Sequence, residues 1–375
     1  MKTVLLTGAR APATLELARV FAASGCRVIA ADSLRYPLTR FSKHVAAYHQ
    51  VPGPAQRSGD FLDALEHLVR LENVDLLIPT CEEVFYVASG HARFSRYCRV
   101  YSEPLTVLAP LHDKLRFARR ARQHGLAVPE THGLKSAAEV SSYADKGFVL
   151  KARYSRFSSN VLLPPHGDLT GVSENPRAWL AQAFTPGELL CSYSLARNGE
   201  LRAHSCYRSP FRAGPGSAVY FEQERHAGAL EWVKAFVKAE TLSGQFAFDF
   251  VETPEGVVAV ECNPRATSGV HLLASEPDFA RAFWNEAERL IVPAAGSASR
   301  IGPALLFAPQ AWQSGTMFMR WLRAWRAPDA IFRLNDPLPA LLQGLSLTHF
   351  IFQALRLRVS LLGASTHDIE WNGPS

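Results

Sequence analysis

The chain has 375 residues, of which 47% are hydrophobic and 20% are charged, so two or three packed domains are expected. Its formal net charge of +6 suits phosphorylated ligands, but there is no dense run of Lys and Arg, which disfavours nucleic-acid binding. The six cysteines form no CxxC pair and have no regular spacing. This pattern favours reduced thiols in a cytoplasm over a disulfide scaffold or a zinc site.

The N-terminal segment predicts a β-α-β unit. Residues 2–8 form an apolar strand that ends at Gly8, residues 13–24 have helical spacing, and residues 27–32 form a second strand ending in Asp32. An acid in this position is typical of dinucleotide sites. The later glycines of the GxGxxG motif are missing, however, so a structural Rossmann-like unit is favoured over an NAD(P) site.

Two acids follow the predicted strand over residues 75–80. Glu82 and Glu83 lie at its carboxyl end, where open α/β sheets place ligand contacts. Either residue could contact a substrate. The alternative is that they cap the following helix.

Two lysines precede candidate phosphate-binding segments. Lys114 begins a helical segment, and Lys151 lies in the apolar strand over residues 148–151, where burial is costly without a partner or ligand. The loop over residues 152–160 contains no glycine. Its serines, with Arg153 or Arg156, could still hold phosphate oxygens.

The middle of the chain predicts a hairpin with strands over residues 189–195 and 200–207. Arg208 follows directly. It could hold a substrate carboxylate or a phosphate, or it could instead form an ion pair with Glu222 or Glu224.

The most informative stretch is residues 246–265, FAFDFVETPEGVVAVECNPR, which predicts a second hairpin. Glu261 and Asn263 are two residues apart and share one face of a strand, and the turn brings them back towards Asp249. Two carboxylates and an amide oxygen are ligands that Mg²⁺ accepts beside nucleotide phosphates. Cys262 should point away from them. The alternative is a hairpin with ordinary solvated acids.

This hairpin, with its Glu-x-Asn-x-Arg ending, resembles the metal-binding hairpin of the ATP-grasp superfamily. The resemblance covers residues 1–295 and implies an α/β (α+β) architecture, with an ATP-grasp fold behind a Rossmann-like domain. The expected boundaries are a Rossmann-like domain over 1–104, two ATP-grasp subdomains over 105–185 and 186–295, and an atypical helical extension over 296–375.

The resemblance also implies roles for individual residues. The expected contacts with ATP come from Lys114, Lys151, Gln182, Ala183, Phe184 and Glu188. The expected ligands of Mg²⁺, or of Mn²⁺, are Asp249, Glu261 and Asn263. The expected catalytic residues are Arg265, Lys151 and Arg208. Within these sets, backbone groups of residues 183–184 would meet adenine and Glu188 would bind the ribose. Ala183 departs from the family, which commonly has an acid there.

The implied activity is that of an ATP-dependent ligase, which activates a small carboxylate as an acyl phosphate and couples it to an amine. The alternatives are ATP-dependent phosphorylation or carboxylation, or a non-catalytic nucleotide-binding regulatory protein. A homodimer is compatible with the sequence. His271, at the rim of the expected site, is more typical of a structural histidine than of a base.

The C-terminal region has no counterpart in the family core. Residues 317–326 predict a basic amphipathic helix, for which capping of an apolar core is favoured over contact with a membrane surface. Residues 338–362 are apolar but contain Pro339, Gln343, His349 and Gln353. We expect these residues to interrupt any membrane-spanning helix.

Overall fold

The computed structural model describes residues 1–155, 160–213 and 217–373. Its strands are β1 Thr3–Thr7, β2 Arg27–Asp32, β3 Ala47–Gln50, β4 Leu76–Ile78, β5 Arg99–Val100, β6 Thr131–Gly133, β7 Val149–Ala152, β8 Val161–Leu162, β9 Trp179–Gln182, β10 Glu188–Arg197, β11 Glu200–Arg208, β12 Arg212–Ala213, β13 Ser217–Ala218, β14 Tyr220–Gln223, β15 Gly244–Thr253, β16 Gly256–Asn263 and β17 Ala298–Arg300. Its α-helices are α1 Pro12–Ala23, α2 Ser58–Leu71, α3 Val84–Ser89, α4 His91–Phe94, α5 Leu105–His112, α6 Lys114–Gln123, α7 Ala137–Asp145, α8 Thr170–Glu174, α9 Ala227–Ala239, α10 Val270–Leu273, α11 Phe279–Trp284, α12 Gly302–Leu305, α13 Gly315–Ala324, α14 Leu338–Leu357 and α15 Leu361–Ala364.

The N-terminal sheet is parallel and has the strand order β3-β2-β1-β4-β5. Its central strand β1 is buried along its whole length, as expected for a strand covered on both faces. The turn after β1 requires glycine, because Gly8 has a φ of +72° and an added Cβ would lie 2.8 Å from Thr80 Oγ1. Asp32 is bound by Arg10 of the same chain at 2.6 Å. This contact agrees with the structural interpretation of the Rossmann-like unit.

Two multi-stranded antiparallel sheets follow, and among the described residues β12 and β13 form a further two-stranded one. The smaller multi-stranded sheet has the order β6-β9-β7-β8, and the larger has the order β16-β15-β10-β11-β14-β17. Helix α9 packs on one face of the larger sheet, where Trp232 and Phe236 contact alternate phenylalanines of β15, including Phe248. Asp249, which follows Phe248, therefore faces the other side of the sheet.

Helices α5 and α6 also pack into the core beneath the hairpin. Leu111 of α5 and Phe117 of α6 belong to the same buried cluster as Phe248. Order along the chain does not give this arrangement, since residues 105–123 precede the smaller sheet in sequence but pack on the larger one. The packing brings the first residue of α6 close to the hairpin.

The C-terminal region is partly strand and is joined to the rest of the protein. Strand β17 pairs with β14 and becomes the edge of the larger sheet. Helix α13 packs through Trp321 and Ala324 into a cluster around Phe211, in agreement with the favoured core-capping role. The last residues return to the N-terminal domain, where Asp368 binds Arg10 at 2.6 Å.

Helix α14 corrects one sequence-based expectation. The interruption expected within residues 338–362 is wrong, because α14 is a single helix of 20 residues. Pro339 lies in its first turn, where a missing N–H costs no helical hydrogen bond. Gln343, His349 and Gln353 are polar but do not break helical geometry. By length and composition α14 would be able to cross a membrane, and it is the one such helix within the described ranges.

Candidate active site

The hairpin brings the three expected metal ligands together. Strands β15 and β16 pair Asp249 directly with Glu261, next to a β-bulge. The Nδ2 atom of Asn263 lies 3.3 Å from Asp249 Oδ2 and 3.2 Å from Glu261 Oε1. Cys262 is buried in the core on the opposite face, as expected.

Crowding of the two carboxylates has opposite effects on their pKa values. Burial, followed by the negative charge of Glu261, raises the pKa of Asp249. Burial alone would raise the pKa of Glu261 as well, but the positive charge of Lys114 and the hydrogen bond with Asp249 outweigh it and lower that pKa. The pair therefore holds a proton readily, and a divalent cation would replace that proton.

The donor set fits Mg²⁺ or Mn²⁺ rather than a softer metal. Within residues 1–155, 160–213 and 217–373 no group of three or more His, Cys, Asp or Glu side chains is placed to hold a metal. Two carboxylates are nevertheless enough for a cation that also binds phosphates. Asn263 donates to both acids, and its Oδ1 accepts from Arg265 Nη2 at 3.4 Å, so coordination through this oxygen would require the amide to turn over.

Lys114 approaches the hairpin from the start of α6. Asp113 caps this helix by accepting a hydrogen bond from the N–H of Leu115 at 3.0 Å, which fixes the first turn. The Nζ atom of Lys114 lies 3.3 Å from Glu261 Oε2 and donates to the backbone oxygen of Ser155 at 3.1 Å. No sequence signal singled out Ser155 as a partner of this lysine.

Lys151 on β7 points into the same region and donates to Gln182 Oε1 at 2.7 Å. Burial lowers the pKa of Lys151 to about 8, although the negative charge of Glu261 acts in the opposite direction. Gln182 in turn donates to Thr131 Oγ1 at 3.2 Å. Gln182 is therefore placed to act through its side chain, as a partner of Lys151.

The backbone of residues 183–184, which is expected to meet adenine, is only partly free to bind a ligand. The Ala183 N–H already donates to the backbone oxygen of Glu130 at 2.8 Å, so this donor is not directed at a ligand. Phe184 is 55% exposed. The loop expected to cover the phosphates includes Arg156, Ser158 and Ser159, which lie outside the described residues.

Arg265 links the hairpin to the N-terminal domain. Its Nε donates to Glu82 Oε1 at 2.8 Å, and this ion pair is largely buried. Glu83 has a different role, because one of its oxygens accepts from the Thr80 N–H at 3.0 Å and from Thr7 Oγ1 at 2.7 Å. Glu83 therefore holds the turn after β4, while Glu82 positions Arg265.

A cavity of about 260 Å³ lies beside this ion pair. It opens at the carboxyl ends of β1 and β4, and its lining includes Thr80, Arg265, Phe350 and Thr366. The last two come from the C-terminal region, which no local sequence signal connected with the site. His271 also borders the cavity, but its Nδ1 contacts buried Glu16 at 2.9 Å, which agrees with a structural role.

Glu188 and Arg208 are not brought together with the hairpin acids. Arg208 binds Glu188 at 2.9 Å and also contacts Glu252, which lies 3.1 Å from His226 at the start of α9. This network lies on the α9 side of the larger sheet, opposite to the side that Asp249 faces. The alternation of strand residues explains the separation, because Glu188 is paired with Glu252 whereas Cys191 is paired with Asp249. Arg208 also contacts Glu224 at 3.4 Å, one of the two alternative ion pairs.

Neither the comparison with protein-family models nor the comparison with curated proteins gives a match. Solved structures do match. The N5-carboxyaminoimidazole ribonucleotide synthetase from Thermus thermophilus superposes with a TM-score of 0.61 at 15% identity, over 79% of this chain and 82% of that one. The L-amino acid ligase from Bacillus licheniformis has a TM-score of 0.57 at 14% identity, over 74% and 70% of the two chains.

A third match is the biotin carboxylase domain of the Hydrogenobacter thermophilus 2-oxoglutarate carboxylase, crystallised with MgADP and bicarbonate. It has a TM-score of 0.59 at 12% identity, over 79% of this chain and 71% of that one. At these identities the likeness concerns the fold. The chain has an ATP-grasp fold behind a Rossmann-like N-terminal domain, as its hairpin sequence predicts.

Proposed function

We propose that this protein is an ATP-dependent ligase that activates a small carboxylate as an acyl phosphate and then couples it to an amine. One observation carries this proposal: Lys114 and Lys151 converge on the acids of the hairpin, with Lys114 Nζ 3.3 Å from Glu261. Cations facing two crowded carboxylates are suited to a polyphosphate bridged by divalent ions.

In the proposed site, Asp249 and Glu261 would hold Mg²⁺, or Mn²⁺, next to the phosphates of ATP, and Asn263 would join them once its amide turns over. The bound cation supplies charge neutralisation of the transferred phosphoryl group. Lys114 and Lys151 bind phosphate oxygens and keep the γ-phosphate in line with its acceptor. Arg265, held by Glu82, offsets charge on the acid or on the phosphoryl group. Gln182 orients Lys151 through their hydrogen bond. Residues 183–184 directly follow Gln182 in the chain.

The cavity beside Arg265 is proposed to bind the acid. Arg265 offers two-pronged hydrogen bonding to a carboxylate, and Ala13, Ile301 and Phe350 provide apolar walls. A volume of about 260 Å³ suits a small metabolite. Glu188 and Arg208 are not included in this site because they lie on the opposite face of the larger sheet from Asp249.

The test is release of ADP from ATP in the presence of Mg²⁺ by the whole protein, measured against pools of amino acids and small carboxylic acids. Ligation predicts that ADP release requires both an acid and an amine, with an amide product visible by mass spectrometry. ADP release with an acid alone would indicate simple phosphorylation. ATP binding without turnover in any pool would indicate a non-catalytic nucleotide-binding protein.

Carboxylation is the second candidate, because one matching structure is a carboxylase domain crystallised with bicarbonate. Bicarbonate is itself a small acid that ATP can activate, so the same cations and metal ligands would serve. Incorporation of labelled bicarbonate into an amine, in place of a larger acid, would distinguish carboxylation from amide formation.

A further inference from the structure

The outward face of α14 is apolar and uncovered. Its exposed large side chains are Leu338, Leu341, Leu345, Phe352 and Leu355, whose spacing places them on one side of the helix. Leu347, Ile351 and Leu357 are also exposed, at other positions around α14. Leu341 and Leu355 are 69% and 72% exposed, and their spacing of about four turns places them on one side of the helix. Contiguous apolar patches of this kind mark interaction surfaces on soluble proteins.

Four exposed arginines lie near α14. Arg35 and Arg40 lie in the segment against which α14 packs, and Arg356 and Arg358 lie at the end of the helix. All four are exposed, and none forms an ion pair with an acid in the part of the chain that the structure describes. Residues 338–364 contain no Asp or Glu. The surface thus combines exposed hydrocarbon with unneutralised positive charge.

The inner face of α14 is fixed to the protein. Pro339 is buried, Ser346 Oγ donates to the backbone oxygen of Tyr36 at 2.5 Å, and Phe350 borders the cavity beside Arg265. A helix crossing a membrane would have to break these contacts. While they persist, α14 can only lie parallel to a surface, with its outward face towards that surface.

We propose that the outward face of α14, with Arg35, Arg40, Arg356 and Arg358, docks on the surface of an anionic lipid bilayer. The leucine and phenylalanine side chains enter the boundary between headgroups and acyl chains, and the arginines contact lipid phosphates. Charge complementarity favours this occupant over a second copy of the chain, whose identical face would bring the same arginines together. The proposal is independent of the ligase activity.

The experiment is cosedimentation of the full-length protein with vesicles. Vesicles of phosphatidylcholine mixed with phosphatidylglycerol should carry the protein down at low salt, and vesicles of phosphatidylcholine alone should carry much less. Replacing Arg356 and Arg358 by Gln should weaken partition about fivefold for each arginine, and added salt should reduce this difference. Absence of the wild-type protein from the anionic vesicle pellet would overturn the proposal.

A matched pair of variants separates this surface from general stickiness. Leu341→Gln with Leu355→Gln should reduce vesicle binding by at least about tenfold, because both leucines lose their burial in lipid. The control is Leu71→Gln with Leu163→Gln, since both residues are 58% exposed elsewhere on the protein. Control binding should match the wild type. Equal losses from the two pairs would contradict the assignment to α14.

Light scattering on a sizing column tests the alternative occupant. The wild type and the Leu341→Gln, Leu355→Gln variant should have the same oligomeric state if α14 faces lipid. A dimer that dissociates only in the α14 variant would show that the face joins two copies, and the lipid proposal would then be wrong.

Discussion

Lys114 and Glu261 form a partly buried contact, with 3.3 Å between Nζ and Oε2, that connects the start of α6 to strand β16. The two residues are far apart in sequence, and the contact exists because α5 and α6 pack into the core beneath the hairpin. It places the positively charged amine of Lys114 next to Glu261, a candidate metal ligand. The contact also explains why the pKa of Glu261 is lowered despite burial, since the charge of Lys114 opposes the effect of burial.

Replacement of Lys114 by Met tests this contact. The variant keeps the length of the side chain and removes its charge, so binding of ATP phosphates should weaken. We expect kcat/KM for ATP to fall on the order of a hundredfold, the loss typical for one charge-stabilising donor. Steady-state ADP release measured over a range of ATP concentrations gives this value.

Lys234→Met is the matched control, because Lys234 is an exposed lysine on α9 that pairs with its helical neighbour Glu231. Its kinetics should equal those of the wild type. A Lys114→Met enzyme with unchanged kcat/KM would show that Lys114 does not contact the nucleotide.

Arg208 separates the sequence-based expectation from the structural one. The family resemblance implies a catalytic role, whereas the structure places Arg208 among Glu188, Glu224 and Glu252 on the α9 side of the sheet. Arg208→Met should therefore lower the stability by about 1 kcal/mol, as expected for partly exposed ion pairs, and leave turnover nearly unchanged. Thermal unfolding and ADP release measure the two effects. A large loss of turnover at unchanged melting temperature would restore Arg208 to the site.

We expect His204 to make the stability of the protein depend on pH. Burial lowers its pKa to about 4, from 6.5 in an exposed chain, and nearby Lys234 adds to the effect. The folded state therefore favours neutral His204, whereas the unfolded chain binds a proton there below pH 6.5. The free energy of unfolding is unaffected by this histidine above pH 6.5 and decreases as the pH falls towards 4. The full loss is on the order of 3 kcal/mol.

Denaturant unfolding of the wild type and of His204→Gln across this pH range measures the effect. The variant should be less sensitive to acid, because glutamine has no proton to gain. Identical pH dependence in the two proteins would contradict the assignment to His204.

Those parts of the site that depend on local periodicity could be predicted from the sequence. The positions of Asp249, Glu261 and Asn263 follow from strand alternation and one turn, and the structure brings them together. Lys151 was recognisable because a lysine within an apolar strand requires a partner. The structure supplies Gln182 as that partner.

The remaining parts depend on packing between distant segments. Nothing local links Glu82 to Arg265, or Phe350 and Thr366 to the cavity they border. The position of Glu188 also depends on such packing. The sequence around it resembles a family motif, but the register of β10 with β15 pairs it with Glu252. In α14, polar residues suggested interruptions, but a proline in the first turn and isolated polar residues leave a helix intact.

The most direct test of the proposed activity compares the wild type with Glu261→Gln in the ADP-release assay, using an acid and amine pair that the wild type accepts. Glutamine keeps the shape of the side chain and removes the charge that binds the metal, and it also relieves the repulsion with Asp249. The proposal predicts a loss of turnover of at least about a hundredfold, with a melting temperature close to that of the wild type. Replacing even a residue that only hydrogen-bonds to a metal ligand lowers metal affinity or activity by about tenfold to a hundredfold. Full turnover by Glu261→Gln would contradict the proposed site.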